Sequence, residues 1–282
     1  MARHSQLPQE LINIILENID VDVDQWTLRC CSLACSSLLH PSRRRIFRRI
    51  VLYPQSGHYY TSKPTSRCRR LYNLLLRSPH IATFIQELKL YEGQSDKDQD
   101  WMGSDPSLPL VLGMLKDLAR LEFRRLEWGE LSLAVRQSIQ NVLELPSLHF
   151  VHMEHSFFAS MDDFSSLLSH AEGLTGLSLD EIYTSWGEPV SPEGSSQGRD
   201  PKEQGVYSDR RRHLLNLQIN KFSEFVNWIL GPHSLLDVSH VHTLHITNHP
   251  RSEGHVIDHL LHVIGGSLKH LKLDAPKVFW SQ

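Results

Sequence analysis

The chain is poor in the features that mark secreted or membrane proteins. It has four cysteines, Cys30, Cys31, Cys35 and Cys68, all in its first quarter, and no Asn-x-Ser/Thr acceptor. That usage fits a reducing compartment, so disulfides are not expected and a cytoplasmic or nuclear location is. Long apolar runs are also missing. The opening MARHSQLPQE leads into a stretch that soon meets Glu17, Asp20 and Asp22, which excludes a signal peptide or spanning segment of the usual kind. Charge of one sign is scarce too: 29 Lys and Arg stand against 32 Asp and Glu, for a formal charge of -3. No global field would draw the chain to nucleic acid or to an anionic membrane.

Chemical motifs are equally thin. There is no Gly-x-Ser-x-Gly elbow, Walker-type loop or Gly-x-Gly-x-x-Gly fingerprint, and carboxylates are scattered without a pair, so no enzyme and no cofactor are expected. Eighteen histidines invite a metal hypothesis. His255, His259 and His262 share one helical face, with His242 and His245 nearby, yet no His-Glu-x-x-His and no paired Cys-x-x-Cys occur, and the expectation is no metal site.

What is present begins after Pro8, at the head of a helix pattern. At about 100° per residue, Leu11, Ile12, Ile15, Leu16 and Ile19 form one broad stripe and Ile14 falls outside it. Leu28, Cys31, Leu33 and Cys35 could line a second helix, and Pro41 is expected to restart the chain into a basic third one. Three short helices in some forty-five residues enclose too small a core to be comfortable alone, which points to a partner. The cluster Arg43, Arg44, Arg45, Arg48 and Arg49 reads either as a solvated helix face or as a phosphate-binding patch.

LPQELINIILENI, TLRCCSLACSSLL and SRRRIFRRIVL together resemble the F-box pattern of the F-box-like proteins abundant in fungi. The resemblance covers residues 5–50 and implies docking on the Skp-type adaptor of cullin-RING ubiquitin ligases. Carried over by position, it implicates Leu7, Pro8, Leu11, Ile12, Ile15, Leu28, Leu33 and Cys35. Where the family usually has Arg-x-Trp after the second cysteine, this chain has Ser36-Ser37-Leu38.

Beyond residue 66 one short pattern recurs seven times. Apolar-x-x-apolar-x-apolar appears as IQELKL from Ile85, LARLEF from Leu118, LHFVHM from Leu148, LTGLSL from Leu174, LLNLQI from Leu214, VHTLHI from Val241 and LKHLKL from Leu268. Successive starts are 33, 30, 26, 40, 27 and 27 residues apart. Amphipathic segments alternate with them: RCRRLYNLLLR, LPLVLGMLKDL, LSLAVRQSIQNVLEL, MDDFSSLLSHA, FSEFVNWIL and HVIDHLLHVIG. Strand, turn, helix and strand again is a solenoid unit that cannot bury its apolar face alone. It resembles the leucine-rich-repeat tail common among F-box substrate receptors. The Asn or Cys ladder usual after each strand is replaced by Gly93, Leu126, Ser156, Ile182, Phe222, His249 and Pro276.

The expectation is therefore an α/β chain: a three-helix module at 5–50, a linker at 51–65, and an irregular repeat solenoid at 66–282 with parallel strands inside and helices outside. A disordered insertion is expected at 184–209, where Pro, Gly, Ser and charge dominate, and a second loop from Glu92 in which Trp101 pins one point. Nothing capping follows the seventh pattern except APKVFWSQ, whose Val278, Phe279 and Trp280 could serve.

Alternation in each strand sends the intervening side chains to the face opposite the core. On a solenoid this face would be concave and would hold a protein substrate. Its candidates are Tyr91, Arg120, Arg124, Phe150, His152, Glu154, Asp180, Asn216, Gln218, Asn220, His245 and Lys272. The function this implies is recognition without catalysis: a ligase substrate receptor, or else a repeat scaffold or sensor without adaptor, or a nucleic-acid binder through the Arg43–Arg49 cluster.

Overall fold

A computed structural model of the chain describes residues 7–21, 23–54, 66–93, 101–184, 211–220, 223–231, 234–247 and 254–274. Helices α1 (Gln9–Glu17), α2 (Gln25–Ala34) and α3 (Ser36–Arg48) come first. Strand β1 (Arg49–Leu52) follows at once, and then the chain alternates helix and strand: α4 (Arg67–Arg77), β2 (Glu87–Tyr91), α5 (Trp101–Ser104), α6 (Leu108–Met114), β3 (Arg120–Arg124), α7 (Leu133–Leu143), β4 (Phe150–Phe158), α8 (Met161–Leu168) and β5 (Gly176–Thr184). After residue 210 come β6 (Arg212–His213), β7 (Asn216–Asn220), α9 (Ser223–Ile229), β8 (Leu236–Asp237), β9 (Thr243–Thr247), α10 (Gly254–Ile264) and β10 (His270–Asp274).

The protein is mixed α/β, built on one eight-stranded parallel sheet in the order β1-β2-β3-β4-β5-β7-β9-β10. All seven recurrent patterns are strands of this sheet, in register. Glu87, Arg120, Phe150, Gly176, Asn216, Thr243 and His270 stand in one row, and every later position follows suit. The 40-residue interval between the fourth and fifth patterns leaves the row intact, since Gly176 pairs with Asn216. β6 and β8 form a separate two-stranded parallel pair.

The register follows from burial. In six of the seven patterns all three apolar positions are buried, as with Leu118, Leu121 and Phe123. A one-residue slip would turn each strand's pair outward, and a buried side chain of this size is worth ~1.5–3 kcal/mol. Helices α4, α6, α7, α8, α9 and α10 occupy the six amphipathic segments and join the same core through residues such as Leu75, Leu112, Ile139, Phe164, Val226 and Leu260. The Ser66 and Ser160 hydroxyls cap α4 and α8, accepting from the N–H groups of Arg69 and Asp163. In the seventh pattern Leu271 and Leu273 remain 46% exposed, and the residues after Asp274 lie outside those described.

Two expectations about local structure are corrected. Arg49 and Ile50 belong to strand β1, which pairs with β2, rather than to the third helix, so the sheet begins inside residues assigned to the helical module and linker. Pro41 does not restart the chain; it sits inside α3, which starts at Ser36 after an extended Cys35. The carbonyl its missing N–H would have served, on Ser37, instead accepts from the Gln9 side chain at 3.2 Å.

Among the described residues, three non-glycine residues take left-handed φ angles: Arg125 (59°), His155 (51°) and Glu181 (55°). Each follows the fifth residue of its repeat strand and shifts the alternation by one, so that Leu126, Ser156 and Ile182 turn toward the core in their place. These are the positions where the usual ladder would stand. Their counterparts Phe222, His249 and Pro276 lie outside the described residues, as do 185–210, nearly all of the expected insertion. Trp101 does pin its loop: its backbone N–H donates to the Glu92 carboxylate and its indole N–H to the Tyr91 carbonyl. Among the described residues, no helix is long and apolar enough to cross a membrane.

Candidate interaction surfaces

The helical module has its own small core, separate from that of the sheet. Ile12, Leu16 and Leu28 are buried in it, with Ile19, Val21, Cys31, Leu38 and Ile46 packed around them. Leu38 is thus a packing residue of this core. The broad stripe on α1 divides. Ile12 and Leu16 turn inward, while Leu11 and Ile15 face out beside Ile14, about half exposed. On α2 only Leu28 is buried, and Trp26 (75% exposed) and Leu33 (85%) project from the far side of the helix.

Of the docking residues carried over by position, Ile12 and Leu28 are buried side chains of this core. Leu7, Pro8, Leu11, Ile15, Leu33 and Cys35 are exposed. The docking residues carried over by position do not include Ile14, Val23 and Trp26, which are exposed apolar side chains of the same module. The signal for Trp26 was available in principle, since it lies about 160° around the helix from Leu28, where an inward-facing residue cannot be.

The basic cluster is largely engaged. Arg45 donates to the carbonyls of Glu17 and Ile19 at the end of α1, and Arg48 and Arg49 pair with Glu87 at 3.5 and 3.4 Å. Arg43 and Arg44 are exposed.

The sheet face away from the helices carries every substrate-face candidate. Tyr91, Arg120, Arg124, Phe150, His152, Glu154, Asp180, Gln218, Asn220 and His245 are half-buried there, and Asn216 and Lys272 are exposed. Its first four strands hold a lattice of opposite charges. Glu122, the most buried member, takes Arg120 Nε at 2.6 Å and Lys89 Nζ at 3.1 Å, and Arg124 Nε lies 2.9 Å from Glu154. Burial would raise the Glu122 carboxyl, but the hydrogen bonds from Arg120 and Lys89 outweigh it and hold the group below the usual carboxylate value. Burial lowers His152 against the pull of Glu122 and Glu154, and its Nδ1 lies 2.8 Å from Ser178 Oγ.

Aromatic rings are set among these charges. The Arg120 guanidinium lies 3.9 Å over Phe150 and that of Arg124 4.8 Å over Tyr91. Phe150 reaches across the neighbouring strand because Gly176 has no side chain; a Cβ there would come within 2.6 Å of the ring. Farther on, the face turns to amides and histidine: Asn220 donates to Asp180, and His245 Nε2 meets Asp274 at 2.8 Å.

The chain matches no protein-family model, and no curated protein sequence is significantly similar to it.

One feature of this region escaped sequence reasoning. β4 and β5 run on past their left-handed residues to place Phe157 and Tyr183 in an exposed stack, centroids 4.8 Å apart, with His155 and Glu181 paired beside it at 2.5 Å. The strand extension had no signal, because the shifted alternation hides it.

Proposed function

We propose that the chain is a substrate-recognition subunit of a Skp–cullin–F-box ubiquitin ligase. On this reading the three N-terminal helices are the F-box module and the strand–helix repeats are a leucine-rich-repeat-like solenoid that holds a protein substrate. The observation that carries the reading is the apolar patch of Leu11, Ile14 and Ile15 on α1, with Trp26 and Leu33 exposed on α2, beside a core of three buried apolar residues. Monomeric proteins rarely leave large apolar patches uncovered, and an adaptor helix would cover this one. The sheet face supports the second half, because its ordered polar and aromatic side chains suit protein recognition.

The test is association with purified Skp-type adaptor by size-exclusion chromatography. Wild-type chain should co-elute with adaptor, and Leu11→Asp with Ile15→Asp should abolish co-elution while leaving the sheet folded. Free elution of wild type, or co-elution unchanged by the double substitution, overturns the proposal. Alkylation gives a second readout. Cys35 is exposed whereas Cys68 is buried, its thiol pushed up to about 12 by burial and by Asp105, so adaptor should protect Cys35 against an inert internal control.

A further inference from the structure

We propose that His213, Asp237 and His240 form a binding site for one divalent transition-metal ion of the zinc class. The inference is independent of the ligase reading and rests on the small β6–β8 pair.

The residues come from distant parts of the chain and are brought together by backbone pairing. His213 stands opposite Asp237 in the register of β6 and β8, fixed by hydrogen bonds from Arg212 N to Leu235 O and from Leu214 N to Asp237 O. His240 follows in a turn closed by Val241 N donating to Val238 O. Asp237 Oδ2 lies 2.8 Å from His213 Nδ1 and 3.4 Å from His240 Nδ1, and the two rings are 4.4 Å apart between centroids. One donor atom from each residue falls within a sphere where all pairs are closer than 4.8 Å. Donors around a tetrahedral zinc stand about 3.3 Å apart, and the remaining adjustment is rotation of two imidazoles that are more than half exposed.

The carboxylate is held for the purpose. Ser239 donates its backbone N–H (2.9 Å) and its hydroxyl (2.6 Å) to Asp237 Oδ1, which leaves Oδ2 turned toward both histidines. Support of one carboxylate oxygen by the backbone while the other faces two imidazoles is the outer-sphere arrangement that metal sites use to aim their ligands. Two imidazole nitrogens and one carboxylate oxygen suit zinc, copper or nickel, whereas magnesium and calcium require oxygen ligands. The competing account is a hydrogen-bonded surface cluster with no affinity for metal.

An ion here would join the segments leading into β7 and β9, clipping together two successive repeats. Metal that binds only the folded chain raises its melting temperature.

The test uses the full chain, produced without a histidine tag, stripped with chelator and titrated with zinc chloride by calorimetry, with thermal melts in parallel. Wild type should bind zinc and melt higher with it. The His213→Ala/His240→Ala double variant should bind at that site at least about tenfold more weakly and lose the zinc-dependent rise in melting temperature. Ser239→Ala should weaken binding by a similar order through misalignment of Asp237. A His255→Ala/His259→Ala control should behave as wild type. Absence of zinc binding by wild type, or affinity and melting shift unchanged in the His213/His240 variant, overturns the proposal. Both imidazoles are exposed, so neither substitution should disturb folding, and circular dichroism confirms that point.

Discussion

The Gln9 side-chain amide donates to the carbonyl of Ser37, the acceptor left without a partner by Pro41. One helix thus supplies the bond that the sequence of another forbids, tying α1 to α3. A double-mutant cycle should detect this coupling. Gln9→Ala should cost ~0.5–1 kcal/mol in an otherwise wild-type chain. In a Pro41→Ala background, where residue 41 can serve Ser37 itself, the same change should cost less. Urea denaturation of the four proteins measures the difference.

The inner and outer apolar residues of the module should respond in opposite ways. Trp26→Ser should leave stability within ~0.5 kcal/mol, because the ring touches little, and should reduce self-association of the isolated chain in light scattering. Ile12→Ala should cost ~2–5 kcal/mol by hollowing a core with few members. Equal losses from the two would contradict the division of the module into inner and outer faces described above.

Gly176→Ala should destabilise the sheet by ~1–3 kcal/mol, because the new methyl would come within 2.6 Å of the Phe150 ring and force it to shift. Phe150→Leu in the same chain should recover much of the loss. Recovery measured by denaturant midpoint would separate this clash from any effect of backbone propensity.

Acid should destabilise the protein in two stages. His152 is lowered from 6.5, chiefly by burial, so the unfolded chain takes up its proton first, and stability falls as pH drops below 6.5 through the folded value. Glu122 is lowered from 4.5 by the bonds from Arg120 and Lys89 that overcome its burial, so its contribution holds above that pH and is lost beneath it. His152→Gln should flatten the upper stage of a midpoint-against-pH curve and Glu122→Gln the lower one.

The repeat strands were legible to the residue because alternation has a period of two and six of the seven patterns carry three buried apolar positions, so only one phase keeps them all inside. Helices were legible for the same reason at their own period. β1 was not: Phe47 and Ile50, three apart, fit a helix as well as they fit a helix end followed by a strand, and Ile50 with Leu52 is too short an alternation to decide. The left-handed conformations at Arg125 and Glu181 had no residue signature at all, since neither side chain favours positive φ. On the module, the width of the α1 stripe was readable, but which half would face inward depends on where α3 lies. His213, Asp237 and His240 escaped notice because local motif spacing cannot register ligands that only strand pairing brings together.

Uniform register has a consequence for how the molecule transmits information. Each strand touches only its neighbours, and five strands separate β1, which joins the helical module, from β9. An event at one end reaches the other only by relay through successive ladders. The two ends should therefore be separable cassettes, so that exchanging the later repeats should leave the fold of the helical module unchanged.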